Sequence, residues 1–129
     1  MPEYPVISIV DNDISVRQAV LGLMRAAGFI AESYHSAEHF LRSGGPSRAS
    51  CLISDMRMPG MSGLELQSHL AAAGTPIPII LITAFPDERD RERAKKSGAI
   101  CYLAKPFKEA ELLACIDASL KTSGSTFRK

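Results

Sequence analysis

Five short apolar runs alternate along the chain with longer segments in which apolar residues recur at helical spacing. The runs cover residues 6–10, 29–34, 52–55, 79–83 and 99–104. Each is too short for a core helix and is typical of a strand, and the second, less apolar run is expected near a sheet edge. Strands that alternate with helices form parallel sheets covered on both faces. The sequence therefore predicts an α/β fold with a doubly wound, five-stranded parallel sheet.

Start and stop signals place five helices between and after these strands. They are predicted at about residues 14–27, 36–41, 62–73, 88–96 and 109–121. Ser62 and Glu65 have the spacing of a capping box, and Asp13 is placed as an N-cap. In the fourth helix acids come first and bases last, which suits the helix dipole but leaves almost no apolar face. We therefore expect this helix to be weakly held and mobile.

Composition narrows the class of protein. The chain has 129 residues, 46% of them hydrophobic and 22% charged, enough for one domain with a sizeable core. We assign residues 1–121 to that domain and 122–129 to a tail or the start of a linker. A net charge of +1 gives no support for nucleic-acid or membrane binding. No apolar stretch approaches the ~20 residues of a membrane helix, and no signal peptide is evident, so we expect a cytoplasmic protein.

The three cysteines bear on the redox state of the chain. Cys51, Cys101 and Cys115 are odd in number, lie in apolar segments and include no Cys-x-x-Cys pair. This pattern favours buried, reduced thiols over a disulfide framework or a zinc site.

Polar side chains with complementary chemistry end four of the five apolar runs. They are Asp11, Asn12 and Asp13 after the first run, Asp55 at the end of the third, Thr83 at the end of the fourth and Lys105 after the fifth. Because the carboxyl ends of parallel strands share one rim of the sheet, we expect these side chains to meet there. Carboxylates that bind a hard cation, a hydroxyl and an ammonium group suit phosphoryl transfer onto a carboxylate, with Asp55 as the nucleophile. Taken alone each residue has a plainer interpretation, such as a helix cap for Asp13, a turn residue for Thr83 and a solvated lysine for Lys105.

Four stretches of the sequence resemble the response-regulator receiver (CheY-like) family of two-component signalling. They are VDND at 10–13, SDMRMPGMSG at 54–63, ITA at 82–84 and KPF at 105–107. The resemblance covers about residues 6–121 and is closest to the branch that carries helix-turn-helix DNA-binding output domains. It implies a flavodoxin-like fold with five helices and the strand order 2-1-3-4-5.

The resemblance also implies a reaction and a set of roles. Asp55 would take a phosphoryl group from a sensor histidine kinase, Thr83 and Lys105 would contact the phosphoryl oxygens, and the peptide bond to Pro106 would be cis. The chain would promote its own phosphorylation and dephosphorylation but would have no separate substrate, so we do not expect an enzyme in the usual sense.

A magnesium or manganese site is the cofactor that the resemblance implies. Its ligands would be Asp11, Asn12, Asp55 and the backbone carbonyl of Arg57. Receiver domains usually have a second acid where this chain has Asn12, so the site loses one formal charge and we expect weaker Mg²⁺ binding. Asp13 could approach the ion instead, although its expected role as a helix cap argues against this.

The resemblance further implies how a signal would leave the site. Tyr102 matches an aromatic residue that turns inward as Thr83 shifts toward the phosphoryl group, and the helix within 87–98 would respond. A homodimer could form through this helix and the fifth strand, using the bases Arg89, Arg91, Arg93 and Lys95. The alternative is that these charges are simply solvated. An output domain that binds DNA would lie outside this chain, which itself has no helix-turn-helix.

Two other functions stay open at this point. Asp11-Asn12-Asp13 also resembles the Asp-x-Asp pair of haloacid-dehalogenase phosphatases, in which Asp11 would be the nucleophile. Against this, the chain is short, lacks a later acidic pair and would leave Asp55 without a role. The second alternative is a receiver-like interaction module that is never phosphorylated, which Asn12 keeps open. Exposure to a small phosphodonor with and without Mg²⁺ distinguishes these functions.

Overall fold

A parallel β-sheet forms the centre of the computed structural model, which describes residues 4–128 and the side chains of residues 4–121. The strands pair in the order β2-β1-β3-β4-β5. They are β1 (Val6–Val10), β2 (Ile30–Tyr34), β3 (Cys51–Asp55), β4 (Ile79–Thr83) and β5 (Cys101–Ala104). The predicted fold class, the strand order and the edge position of β2 are confirmed.

Five α-helices connect and cover the strands. They are α1 (Ile14–Ala26), α2 (Ala37–Arg42), α3 (Gly63–Ala72), α4 (Glu88–Lys96) and α5 (Glu109–Arg128). A 3₁₀ turn, Gly45–Ser47, precedes β3. The capping box of α3 is formed, because Ser62 Oγ accepts from the Glu65 amide at 3.1 Å and Glu65 Oε1 accepts from the Ser62 amide at 2.8 Å.

Alternation along the central strands divides the core into two apolar layers. Ile80 and Ile82 of β4 pack in the layer covered by α1 and α5, whereas Ile79 and Leu81 pack in the layer beneath α2, α3 and α4. Every residue of β3 and β4 is buried, as expected of parallel strands that are covered on both faces. The sheet is therefore fixed by packing, and its carboxyl edge is left to carry polar side chains.

Most element ends lie within one residue of the predictions, but those of two elements differ by more. Strand β5 begins at Cys101, two residues later than predicted, and α5 continues to Arg128 instead of ending at 121. Residues 122–126 are weak helix formers, but none is a proline, and a helix that is already nucleated propagates at little cost. The division of the chain at 121 stays a prediction, and residues 1–3 and 129 lie outside the described part of the chain.

The prediction for the cysteines is wrong for two of the three. Cys101 of β5 and Cys115 of α5 are joined in a disulfide, with their Cα atoms 6.2 Å apart, while Cys51 is a free and buried thiol. Burial raises the pKa of the Cys51 thiol to about 11. The sequence shows no Cys-x-x-Cys spacing because the pair is made by packing between a strand and a helix, with a separation of 14 residues.

No helix within the described residues is long and apolar enough to cross a membrane.

Candidate functional site

The strand register brings the predicted site residues to one edge of the sheet. Val10 of β1 pairs with Ser54 of β3, so Asp11 lies level with Asp55. Asp55 pairs with Ile82, which places Thr83 one residue beyond it on the neighbouring strand. Thr83 in turn pairs with Ala104, immediately before Lys105. Four of the side chains that the sequence singled out, those of Asp11, Asp55, Thr83 and Lys105, therefore meet at the carboxyl edge, as parallel pairing requires.

A lysine links the two carboxylates of this pocket. Lys105 Nζ donates to Asp11 Oδ2 at 3.1 Å and lies 3.5 Å from Asp55 Oδ2. The Asp11 side chain is fully buried, that of Asp55 is 11% exposed and that of Lys105 is 14% exposed. One buried ammonium group thus faces two buried carboxylates, which leaves the pocket with an excess of negative charge.

The pKa of Asp55 is shifted by its burial and by the charges around it. Burial raises the pKa of the Asp55 carboxyl above its ordinary value of 3.8, and the charge of Asp11 raises it further. Lys105 and a hydrogen bond from the backbone of Arg57 act in the opposite direction without cancelling the increase. Burial and the Asp11 carboxylate therefore both disfavour the negative charge of Asp55, the more exposed of the two carboxylates.

The segment after β1 places three polar residues in three different environments. Asp11 Oδ1 accepts from the Asp13 amide at 2.9 Å, which holds the loop against the pocket. The Asp13 carboxylate accepts from the amides of Ser15 and Val16, so it caps α1 as predicted. Asn12 is exposed at the rim between them. The capping role of Asp13 favours Asn12 over Asp13 as the second oxygen donor after β1.

The oxygens around the pocket suit a small hard cation. Mg²⁺ in proteins usually takes one or two carboxylates together with waters and phosphate oxygens. No group of three or more His, Cys, Asp or Glu placed to hold a metal occurs in the part of the chain that is described, and this pocket has two carboxylates, Asp11 and Asp55. The shortage of positive charge around them is what a divalent cation would relieve, so the residues present fit such an ion.

Thr83, the last residue of β4, and Lys105, which follows β5, are each held by local backbone structure. Thr83 is 1% exposed, and its hydroxyl oxygen accepts from the Phe85 amide at 3.1 Å. The Lys105–Pro106 peptide bond is cis. Thr83 lies beside the loop that follows Asp55, because the Met56 amide donates to the carbonyl of Ile82, and Lys105 is held next to Thr83, because its amide donates to the Thr83 carbonyl.

Tyr102 is held toward α4. The Asp87 amide donates to the Tyr102 hydroxyl at 3.2 Å, and the guanidinium group of Arg91 lies 5.0 Å from the centre of the Tyr102 ring. A cation over an aromatic face is attracted by about 0.5–1 kcal/mol at an exposed site. Arg91 therefore has an intramolecular partner, which the sequence analysis did not anticipate.

An ion-pair cluster joins the loop after Asp55 to α4, and the sequence analysis missed it. Asp90 of α4 is 2% exposed and binds the guanidinium groups of Arg57 and of Arg93, the latter at 3.2 Å. Asp90 lies four residues before the buried Ala94, so these two form the narrow inward face of an otherwise charged helix. The i, i+4 spacing of Asp90 and Ala94 was the sequence signal for this inward face. Because little apolar surface is buried there, ion pairs attach α4 to the rest of the domain.

Comparison with known proteins is consistent with this geometry. A family model described as the response regulator receiver domain matches residues 7–117. The chain is 44% identical over 116 residues to the response regulator protein TodT of Pseudomonas putida, covering 90% of this chain and 51% of TodT. It is 36% identical over 129 residues to the transcriptional regulatory protein FixJ of Azorhizobium caulinodans, covering all of this chain and 61% of FixJ. The chain thus spans about half to three fifths of these relatives.

A solved structure gives the same result for the fold. The structure of the response regulator StyR superposes with a TM-score of 0.87 at 44% identity, over 97% of this chain and 63% of that one.

Proposed function

Since this chain belongs to the response regulator receiver domain family, we propose that Asp55 is its phosphoryl acceptor and that the donor is the phosphohistidine of a sensor histidine kinase. One observation carries the assignment: the Lys105 ammonium group lies between Asp11 and Asp55, at 3.1 and 3.5 Å, where the strands end. This arrangement supplies a carboxylate nucleophile and a cation beside it.

In the proposed reaction an oxygen of Asp55 bonds to phosphorus while the bond between phosphorus and the imidazole nitrogen breaks. Lys105 and the hydroxyl of Thr83 bind the phosphoryl oxygens and stabilise the charge that develops on them. Later attack by water on phosphorus releases phosphate and restores the Asp55 carboxylate. The chain acts on itself throughout and needs no separate substrate.

The proposed cofactor is Mg²⁺ or Mn²⁺, held by the carboxylates of Asp11 and Asp55, the Asn12 amide oxygen and the carbonyl of Arg57. The ion would neutralise phosphoryl charge and orient the donor. The raised pKa of Asp55 supports this set, because burial and then the Asp11 carboxylate disfavour its negative charge, which a bound cation would stabilise.

Asp55 is favoured over Asp11 as the nucleophile by its freedom to react. Both oxygens of Asp11 accept hydrogen bonds, one from the Asp13 amide and one from Lys105, and the side chain is fully buried. Asp55 is partly exposed. A phosphatase that uses Asp11 would have to break its contacts with the loop and with Lys105 first.

The proposed output runs through Thr83 and Tyr102 to α4. Inward rotation of Tyr102 requires it to leave the Asp87 amide and the Arg91 guanidinium group, so the two states differ by identifiable contacts. The surface of residues 87–98 and β5 would then form a homodimer. A DNA-binding output domain outside this chain and a cytoplasmic location complete the proposal. The description of FixJ as a transcriptional regulatory protein supports the output domain.

The test is mass spectrometry after incubation with acetyl phosphate, with and without Mg²⁺. We expect the wild-type chain to gain one phosphoryl group in the presence of Mg²⁺, and Asp55→Asn to gain none. Asp13→Asn is the matched control and should be phosphorylated normally, because Asp13 caps α1. Phosphorylation that survives in Asp55→Asn and disappears in Asp11→Asn would support the phosphatase alternative. No gain in the wild type would leave the non-phosphorylated interaction module.

A further inference from the structure

Two cysteines outside the phosphorylation site join the sheet to the last helix. Cys101 opens β5 and Cys115 lies on the buried face of α5, and their disulfide links elements separated by 14 residues in sequence. Cys101 immediately precedes Tyr102, the proposed switch residue. A covalent link at this point therefore bears on the strand that carries both Tyr102 and, at its end, Lys105.

The pair differs from the third cysteine in accessibility. Cys101 is partly exposed on the edge strand of the sheet and Cys115 is 7% exposed, whereas Cys51 is fully buried. The Cys101 side chain packs in the layer covered by α1 and α5, which is the layer that also holds Cys115.

We propose that Cys101 and Cys115 form a reversible dithiol–disulfide pair that exchanges with low-molecular-weight disulfides and controls the attachment of β5 to α5. In the reducing cytoplasm proposed above, protein disulfides are usually transient and redox-sensing instead of permanent. A reduced and an oxidised form of the domain would therefore both be populated as conditions change.

The exchange proceeds in two steps that balance. The thiolate of Cys101, the more exposed member, attacks one sulfur of the small disulfide, and the other sulfur leaves as a thiolate that takes a proton from water. The Cys115 thiolate then attacks the Cys101 sulfur, and the second small thiol leaves. Two protein thiols are oxidised, and one small disulfide is reduced to two thiols.

The link should be visible in stability and in local motion. Closing a loop of this length restricts the unfolded chain, so the oxidised protein should have a Tm higher by roughly 10 °C than the reduced one. Amide exchange in β5 and in the first turns of α5 should also slow, because opening either element now strains the other. Neither effect needs phosphorylation, so this proposal can fail independently of the proposed function.

The test incubates the full chain in buffers of glutathione and glutathione disulfide, followed by maleimide labelling under denaturing conditions and mass spectrometry. The reduced chain should take up three labels and the oxidised chain one, since the chain has three cysteines. Peptide mapping should place the remaining label on Cys51 and the link between Cys101 and Cys115. Half-oxidation should occur at a glutathione ratio within the buffer series.

Matched variants complete the experiment. Cys51→Ala should oxidise as the wild type does, whereas Cys115→Ala should stop at a glutathione adduct on Cys101, and neither Cys101→Ala nor Cys115→Ala should show a redox-dependent Tm. Three reactive thiols under oxidising conditions, or a link that joins two chains, would overturn the proposal. Complete oxidation in a large excess of reduced glutathione would also overturn it, because the bond would then be permanent.

Discussion

The carboxylate of Asp55 lies in an environment that opposes its charge, and this has a consequence for stability. Because folding raises the pKa of Asp55, the folded protein binds the proton more readily than the unfolded chain does. Stability is therefore lost as pH rises from the ordinary aspartate range through that raised pKa. Asp55→Asn removes this unfavourable charge, so we expect the variant to have a higher Tm than the wild type at pH 7.

Thermal unfolding at pH 7 under reducing conditions measures this effect. Asp117→Asn is the control, because Asp117 is 67% exposed and pairs with Lys121 on the surface, so its removal should change Tm little. If Asp55→Asn were less stable than the wild type, the ionised carboxylate would be a stabilising group and the charge analysis of the pocket would be wrong.

Asn12 sets the charge of the proposed metal site. Replacing its neutral amide with a carboxylate in Asn12→Asp adds one formal charge at the rim of the pocket. We expect the Kd for Mg²⁺ to fall roughly tenfold, a gain of about 1.4 kcal/mol. Calorimetric titration with Mg²⁺ measures this, with Asn12→Ala as the neutral control. Equal affinities for wild type and Asn12→Asp would place this side chain outside the ion's surroundings.

Gly63 allows α3 to begin in direct contact with β3. A Cβ atom at this residue would lie 2.5 Å from the Asp55 carbonyl oxygen and 2.8 Å from a Leu81 methyl carbon. Gly63→Ala must therefore displace α3 or the end of β3, and we expect it to lower the free energy of unfolding by about 1–3 kcal/mol.

Gly22 provides the contrast for this measurement by urea denaturation. It lies within α1, and no atom approaches within 4 Å of the place a Cβ would occupy. Gly22→Ala should stabilise the domain by about 0.5–1 kcal/mol through helix propensity alone. Similar effects of the two substitutions would contradict the close approach at Gly63.

Ion pairs of Asp90 hold helix α4 in position, so we expect substitution of Asp90 to loosen this helix. Asp90→Asn keeps the shape of the side chain but releases Arg57 and Arg93. The Arg57 and Arg93 side chains are 59% and 57% exposed, so their charges can be solvated and the loss in unfolding free energy should be only about 1–2 kcal/mol. Amide exchange in α4 should accelerate by more than in the rest of the domain.

Hydrogen exchange with mass spectrometry measures the local effect, and Glu92→Gln on the exposed face of α4 is the matched control. That variant should leave exchange unchanged. Uniform acceleration across the whole domain in Asp90→Asn would show that Asp90 contributes to global stability and does not specifically attach α4.

The elements with strong periodic signals could be predicted from the sequence. Continuous apolar runs predicted β3 and β4, and side-chain chemistry predicted the capping box at Ser62. The boundaries that differed lie where the local signal is weak. Strand β5 is half-exposed, and the last turns of α5 consist of residues with low helix propensity. In both places the local sequence signal is too weak to fix the residue at which the element begins or ends.

The site was predictable in the same measure. Strand-end chemistry identified Asp11, Asp55, Thr83 and Lys105, because parallel strands bring their ends together. The spacing of Asp90 and Ala94 indicated an inward face of α4, but the choice of Arg57 as the partner of Asp90 and the link between Cys101 and Cys115 were not predictable, since each depends on how two elements pack. Such contacts join residues with no shared pattern in the sequence.

At the scale of the whole molecule, the sheet keeps the carboxylates of Asp11 and Asp55 close together although they repel each other. Strands β1 and β3, which carry the two carboxylates, lie in the middle of the sheet, and apolar layers cover both of its faces. This packing keeps Asp11 and Asp55 close together, so their repulsion must be offset by Lys105 or by an added cation. Binding of that cation is then coupled to the stability of the entire domain.

Mg²⁺ should therefore raise Tm in a concentration-dependent manner. A ligand that binds only the folded state contributes about 2.7 kcal/mol when its concentration is about 100 times Kd, which corresponds to several degrees in Tm. Differential scanning calorimetry along a Mg²⁺ series measures the shift, with a reductant present to keep the cysteines in one state. Sodium chloride at matched ionic strength controls for screening. Asp11→Asn should lose most of the shift, because it removes one of the two carboxylates, whereas an undiminished shift in that variant would place the bound cation elsewhere on the protein.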